Sequence, residues 1–442
     1  MKAFLATALF FLCNNLLQGG DPFLEKAKPL VDKIVDKELA SIAQIYKELH
    51  KNPELSLQEV RTAKILATEL KQLGFTVAEQ IGKTGIVGVL KNGEGPVVLV
   101  RTDMDGLPIV EATGAEYAST IQTRDRVGRE VGVMHACGHD IHMANWIGTA
   151  RTLVQMKEHW RGTLVMIGQP AEEIGAGARM MLAEGLYRKF PKPDFCIALH
   201  ADSQLAAGKI HYTSGLAMAN VDTVEIIIHG KGGHGSAPHV CIDPIVIAAK
   251  LILDLQTIAS RQTDPKDAVV VTIGSIHAGT KANIIPNEAT LQITVRTTKE
   301  TTRKAVLEAI EKKAKAAALA SDAPPPEVKI FWDEFTPKLE NDPKLTASIA
   351  GLFEDLIGKE NVIPRQFILG GEDFSRYALN GQIPIFMYYL GAVEPEKYQE
   401  SIEKGIALPG AHTDKYLPNI NLTLKTGMTT LSLAVMKLLP AK

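Results

Sequence analysis

The sequence predicts an α/β protein in two parts, a sheet covered by helices on both faces and an α+β unit inserted into it. Three observations lead there. Short apolar runs alternate with segments of helical periodicity as far as Leu199, the runs lengthen and begin to alternate near Asn220, and the first pattern returns after about Phe335. A chain of 442 residues is also longer than one ordinary core organises. The insertion is placed at 218–333, leaving 21–217 and 334–442 for the sheet domain.

The elements follow in order. Apolar residues recur at helical spacing over 36–73, with Pro53 interrupting them. Strand-like runs come at 75–78 and 85–90, and Gly93 and Gly95 mark a turn before the fully apolar run 97–100. Residues 141–160 read as a helix with Asp140 placed to cap its first turn. A strand at 163–168, a helix at 178–184 and a strand at 195–199 complete the first half. In the insertion, strands are expected at 221–229, 268–276, 288–296 and 327–332, and helices at 244–258 and 301–320.

Apolar residues make up 45% and charged residues 22%, as in ordinary globular chains, and a net charge of -2 gives no reason to expect nucleic acid or an anionic membrane as partner. At the N-terminus, Lys2 precedes an apolar run at 3–12, the shape of a signal peptide and too short for a membrane span. Residues 1–20 are therefore expected to be an export signal, with a periplasmic or secreted product. Removing them would leave Cys137, Cys196 and Cys241, an odd number that argues against a disulfide framework.

Four clusters of metal-ligand side chains are placed just after strands. Arg101-Thr102-Asp103-Met104-Asp105 follows the run 97–100, and Asp103 and Asp105, two apart, project together if extended. Met134-His135-Ala136-Cys137-Gly138-His139-Asp140 is denser. Thiolate and imidazole suit zinc and related metals, Asp140 is placed to orient a ligand, and His135, Cys137 and His139 share a side if extended. Gln169-Pro170-Ala171-Glu172-Glu173 ends the third strand, where neighbouring carboxylates on extended backbone diverge, one toward a metal and one free to take a proton from water. His200 follows the run 195–199. Ligands of open α/β sheets collect beyond the carboxyl ends of the strands. No phosphate-binding loop and no G-x-S-x-G elbow is present, which excludes a serine nucleophile of that type.

With Gly371-Glu372-Asp373-Phe374 and His412-Thr413-Asp414 added, these motifs span nearly the whole chain. Together they resemble the M20 metallopeptidase and amidohydrolase family, in the branch of hippurate hydrolases, N-acyl-amino-acid deacylases and auxin-conjugate hydrolases. The resemblance implies a catalytic α/β domain with an inserted lid that also serves for dimerisation. It implies two divalent metal ions (zinc, manganese or cobalt) on Cys137, His139, Glu173, His200 and His412, with Glu172 as general base and Asp105 orienting a ligand. Asp103 stands where related branches carry a ligand histidine. In the lid, His234 resembles an oxyanion-stabilising histidine that reaches a neighbouring subunit's site, and Asn283 and Arg296 resemble substrate-binding residues. His142-Met143 departs from the His-Thr pair common in this branch. The expected substrate is a small N-acylated amino acid. A dipeptidase or carboxypeptidase acting on short peptides is the alternative, and a non-catalytic ligand-binding protein on the same scaffold is a third reading.

Overall fold

A computed structural model describes residues 22–441. Its main sheet has eight strands in the order Thr76–Ile81, Gly85–Asn92, Gly162–Gln169, Val97–Asp103, Phe195–Ala206, Ile385–Val393, Ile210–Tyr212, Val362–Pro364. From Gly162–Gln169 to Ile385–Val393 the neighbours are parallel, so their carboxyl ends open on one side. Both faces are covered, which is why these strands read as continuous apolar runs rather than alternating ones. Helices Pro22–Lys51, Val60–Gln72, His139–Gln155, Pro343–Ile357 and Ile420–Leu438 close one face through Val31, Leu66, Ile147, Phe353 and Leu431. Shorter segments carrying Met181, Leu186, Phe374 and Tyr377 close the other.

Helix His139–Gln155 is buried nearly all round, polar residues such as His139, Asp140, His142 and Asn145 included. Its Trp146 Nε1 donates to Val100 O at 3.1 Å, which locks it against the strand Val97–Asp103. The helix starts two residues before the expected 141. Gly138, at φ 86°, makes a left-handed turn that a side chain resists, and helical backbone begins immediately after it. Asp140 thus lies inside the first turn rather than ahead of it. The segment 36–73 is two helices, broken around Pro53, and the first begins earlier, at Pro22. The last expected strand of the insertion ends at Ile330 rather than 332.

A second, antiparallel sheet is ordered Val269–Ala278, Glu288–Thr297, Asn220–His229, Glu327–Ile330. Burial alternates along Asn220–His229, and the inner face packs on helices Pro244–Thr257 and Glu300–Leu319 through Val224, Ile226, Leu251, Leu291 and Ile310. The chain passes between the two sheets through the paired short strands Gly215–Met218 and Leu339–Asn341.

The expectation of an exported protein is corrected. The apolar run on which it rested lies outside the described residues. The first described helix is amphipathic and packs into the core, and no described helix is long and apolar enough to cross a membrane. Among the described residues, Cys137, Cys196 and Cys241 are free thiols.

Candidate metal centre and active site

Two parallel strand ends, one strand middle and one helix start converge. Asp103 closes the strand Val97–Asp103, Glu172 and Glu173 follow Gly162–Gln169, and His139 opens its helix. His200 lies within its strand rather than after it, because pairing with Ile385–Val393 continues through Tyr389↔His200 and carries the strand on to Ala206. His412 arrives from a distant loop whose backbone N–H donates to Ala136 O at 2.8 Å.

Cys137 is the hub. Its Sγ lies 3.6 Å from His200 Nε2 and 3.3 Å from His412 Nε2, and His412 Nε2 lies 3.5 Å from Glu173 Oε2. Ligand atoms cluster in the sets Cys137–His139–His200 and Cys137–Glu173–His412, each within 4.8 Å. An ion held tetrahedrally by sulfur and nitrogen at about 2.0–2.3 Å sets its ligand atoms roughly 3.5 Å apart, so these spacings fit one.

His139 stands between acids. Asp105 Oδ1 is 3.4 Å from its Nδ1, while Asp103 Oδ2 at 3.7 Å and Glu172 Oε2 and Glu173 Oε1 at 3.8 Å surround its Nε2. Asp105 also shapes the loop that follows. Its two oxygens accept the N–H groups of Glu172 and Glu173, each at 3.1 Å, and the Ser56 hydroxyl at 2.6 Å. That loop is a turn and not extended chain, entered by Ala171 at φ 53°. The two glutamates consequently both approach His139 instead of diverging as expected.

His135 does not join Cys137 and His139. The turn at Gly138 removes the expected alternation, and both His135 ring nitrogens are buried without a hydrogen-bond partner among the described residues. His142, beyond the ligand set that the resemblance implies, sits between Asp103 and Ala201. Its Nε2 accepts the Ala201 N–H at 2.7 Å and its Nδ1 therefore donates to Asp103 Oδ1 at 2.7 Å. Arg101 binds the other Asp103 oxygen at 2.6 Å and Glu372 at 2.8 Å.

The electrostatics call for a cation. Burial, then the charges of Glu173, Glu172 and Asp103, push the Cys137 thiol well above its usual range. Burial, with Glu372 and Glu173 beside it, does the same to Glu172, and burial lifts Glu173 to about 7. His139 Nδ1 and Nε2 and Glu173 Oε1 are buried with no hydrogen-bond partner among the described residues. Orphaned donor atoms and crowded acids are what a divalent ion would satisfy.

A cavity of about 820 Å³ opens over the cluster, lined by Cys137, Glu172, Glu173, His200 and His412 on one side and by Val221, Val270 and Arg296 of the second sheet on the other. Arg126, Arg365 and Tyr389 also line it and were not singled out from sequence. Arg296, expected to bind substrate, is among the residues lining this cavity. His234 and Asn283 are not among the residues lining this cavity. They lie side by side on the exposed outside of the second unit, where Gly235 N–H donates to Asn283 O at 2.9 Å.

A model of the peptidase family M20/M25/M40 matches residues 99–412. The chain belongs to this family. As an M20 chain it is 36% identical over 378 residues to thermostable carboxypeptidase 2 of Saccharolobus solfataricus, covering 85% of this chain and 90% of that one. It is 37% identical over 347 residues to hippurate hydrolase of Campylobacter jejuni, covering 78% and 86%. Among solved M20 structures, the Bacillus subtilis YXEP protein, a dinuclear metal binding peptidase, is similar with a TM-score of 0.70 at 31% identity, covering 91% of this chain and 99% of that one.

Proposed function

We propose that this M20 chain is a metal-dependent amidohydrolase that cleaves the amide bond of small N-acylated amino acids. The observation that carries the reading is Glu172, whose carboxylate lines the cavity beside the ligand cluster and accepts no hydrogen bond among the described residues. A binding protein has no use for a base there.

Cys137, His139 and His200 would hold one divalent ion, and Cys137, Glu173 and His412 a second, with the thiolate shared. When bound, the ions polarise the scissile carbonyl and make water a stronger acid. Glu172 takes a proton from the water whose oxygen bonds to the carbonyl carbon, and returns it to the nitrogen as the C–N bond breaks. Asp105 holds the Glu172–Glu173 turn and the His139 ring in place. Arg296, half-buried and with no ion pair among the described residues, takes the substrate carboxylate.

We assign residues 218–333 as a lid that also forms a homodimer. Ile245, Val246 and Leu253, the last 73% exposed, line the outer face of helix Pro244–Thr257. Ser236 N–H donates to His234 Nδ1 at 3.1 Å, which leaves the proton of the neutral ring on an outward Nε2. We assign that N–H to stabilising an oxyanion in the cavity of a partner subunit, with Asn283 beside it.

The test is turnover of N-acetyl amino acids, N-benzoyl amino acids and dipeptides by protein loaded with Zn²⁺, Mn²⁺ or Co²⁺. Faster cleavage of dipeptides would favour the carboxypeptidase reading, and no turnover of any would favour a binding protein.

A further inference from the structure

Tyr389 and Arg365 form a second polar station in the cavity, beside His200 and apart from Arg296. Tyr389 is 5% exposed, and its hydroxyl is buried with no hydrogen-bond partner among the described residues. A buried donor left without a partner is costly, so such a group is retained where something else completes it. Its ring centroid lies 5.9 Å from that of His200 and 4.7 Å from the Arg365 Cζ. Arg365 is held in place. Its N–H donates to Tyr212 O at 2.7 Å, and its Nη1 donates to Asp202 at 3.0 Å. Asp202 is itself occupied by His211 Nδ1 and the Gln204 N–H, both at 2.9 Å. The result is a guanidinium tied to Asp202 and stacked by a phenol whose hydroxyl is unpaired among the described residues, both residues lining the same cavity.

We propose that Arg365 and Tyr389 bind a second carboxylate of the substrate, so that the preferred substrates are N-acylated amino acids carrying two carboxylates, one on Arg296 and one here. The proposal rests on the amidohydrolase reading for its reaction but on its own residues for the preference. A guanidinium and a phenol are both donors, and a carboxylate, with two acceptor oxygens, satisfies both at once. An amide in its place keeps one acceptor, adds donors that face Arg365, and loses the charge.

The experiment compares N-acetylglutamate with N-acetylglutamine, using metal-loaded wild type and the variants Arg365→Gln and Tyr389→Phe. Wild type should favour the acid by about tenfold or more in kcat/KM, through KM, from one charge-assisted contact. Both variants should bring the ratio toward one. Tyr389→Phe should melt at the wild-type temperature, because the hydroxyl it removes serves no contact in the fold; a marked fall in Tm would overturn the assignment. Equal turnover of acid and amide by wild type would refute the station while leaving the amidohydrolase intact. Should neither be hydrolysed, equilibrium binding of the two compounds decides. A preference for the acid that the variants lose supports the station although the reaction is wrong, and its absence rejects it.

Discussion

His142 joins Asp103 to a strand that neither belongs to. One ring nitrogen accepts the Ala201 N–H and the other donates to Asp103, both at 2.7 Å, so tautomer and orientation are fixed together. Burial holds the ring neutral, with its pKa lowered to about 4 although Asp103 opposes the shift. The ring centroids of His142 and His200 are 4.6 Å apart. His142→Ala should free Asp103 and let His200 move, weakening metal binding by roughly 10–100-fold, as expected when a group supporting ligands is lost. Metal titration of the purified variant checks this, and unchanged affinity would show that the contact is only packing.

Glu172→Gln keeps the shape of the side chain and removes the base. The expected loss in kcat is at least about 10²–10⁴-fold. Bound metal should stay at the wild-type level, because neither proposed ion site needs Glu172. Metal analysis alongside the rate measurement separates this from site collapse, and undiminished hydrolysis would rule out the assigned role.

Cys137 belongs to both ligand sets, while His412 belongs to one. Cys137→Ala should therefore empty both sites, whereas His412→Ala should leave about one ion per chain, provided a site tolerates no loss of a ligand. Elemental analysis after gel filtration reads the difference. Because burial and neighbouring carboxylates hold the thiol proton tightly, binding must displace it, and affinity should rise with pH between 6 and 8. An affinity flat over that range would mean that Cys137 does not bind as thiolate.

Much of this site was legible because ligand chemistry is written in side-chain type. Cys137, His139 and the Glu172–Glu173 pair announce a metal by identity and density alone. The change of period near Asn220 likewise marked the second sheet, since a sheet buried on one face must alternate. What stayed hidden depends on backbone turns and distant partners. Left-handed Gly138 turns His135 away from the cluster, and Ala171 brings both glutamates to one ring. His142 gains its meaning from an amide at Ala201, and Tyr389 from Arg365 and from a hydroxyl unpaired among the described residues. None of these has a local signature.

A buried imidazolium should make stability depend on pH. Burial disfavours its charge, but hydrogen bonds from His50 to Asp140 at 2.6 Å and Glu111 at 3.0 Å raise its pKa to about 9 from 6.5. With the folded pKa above the unfolded one, the contribution is complete below pH 6.5 and is lost as pH rises through 9. At 1.36 kcal/mol per unit, it amounts to about 3 kcal/mol. Urea unfolding at pH 6.5 and 9.5 should show that fall in wild type and a flatter dependence in His50→Gln. Parallel slopes for the two proteins would show that His50 is not charged in the folded state.

The assignment of His234 to the partner's cavity makes a prediction that two inactive proteins can test. Glu172→Gln lacks the base in its own cavity but presents an intact His234. His234→Ala keeps Glu172 but offers nothing to its neighbour. If His234 serves its own chain, mixing the two gives no activity. If it serves the other chain, each mixed dimer holds one complete site, built from Glu172 of one subunit and His234 of the other. Random exchange makes half the dimers mixed with one working site in two, so about a quarter of wild-type activity should return. Leu253→Glu, placed on the outer face of the lid helix, should split the dimer and abolish the recovery together with the oligomer. Subunit exchange after mild denaturation, followed by gel filtration and assay, measures all three. A dimer that re-forms without any recovered turnover would end the assignment of His234 in trans.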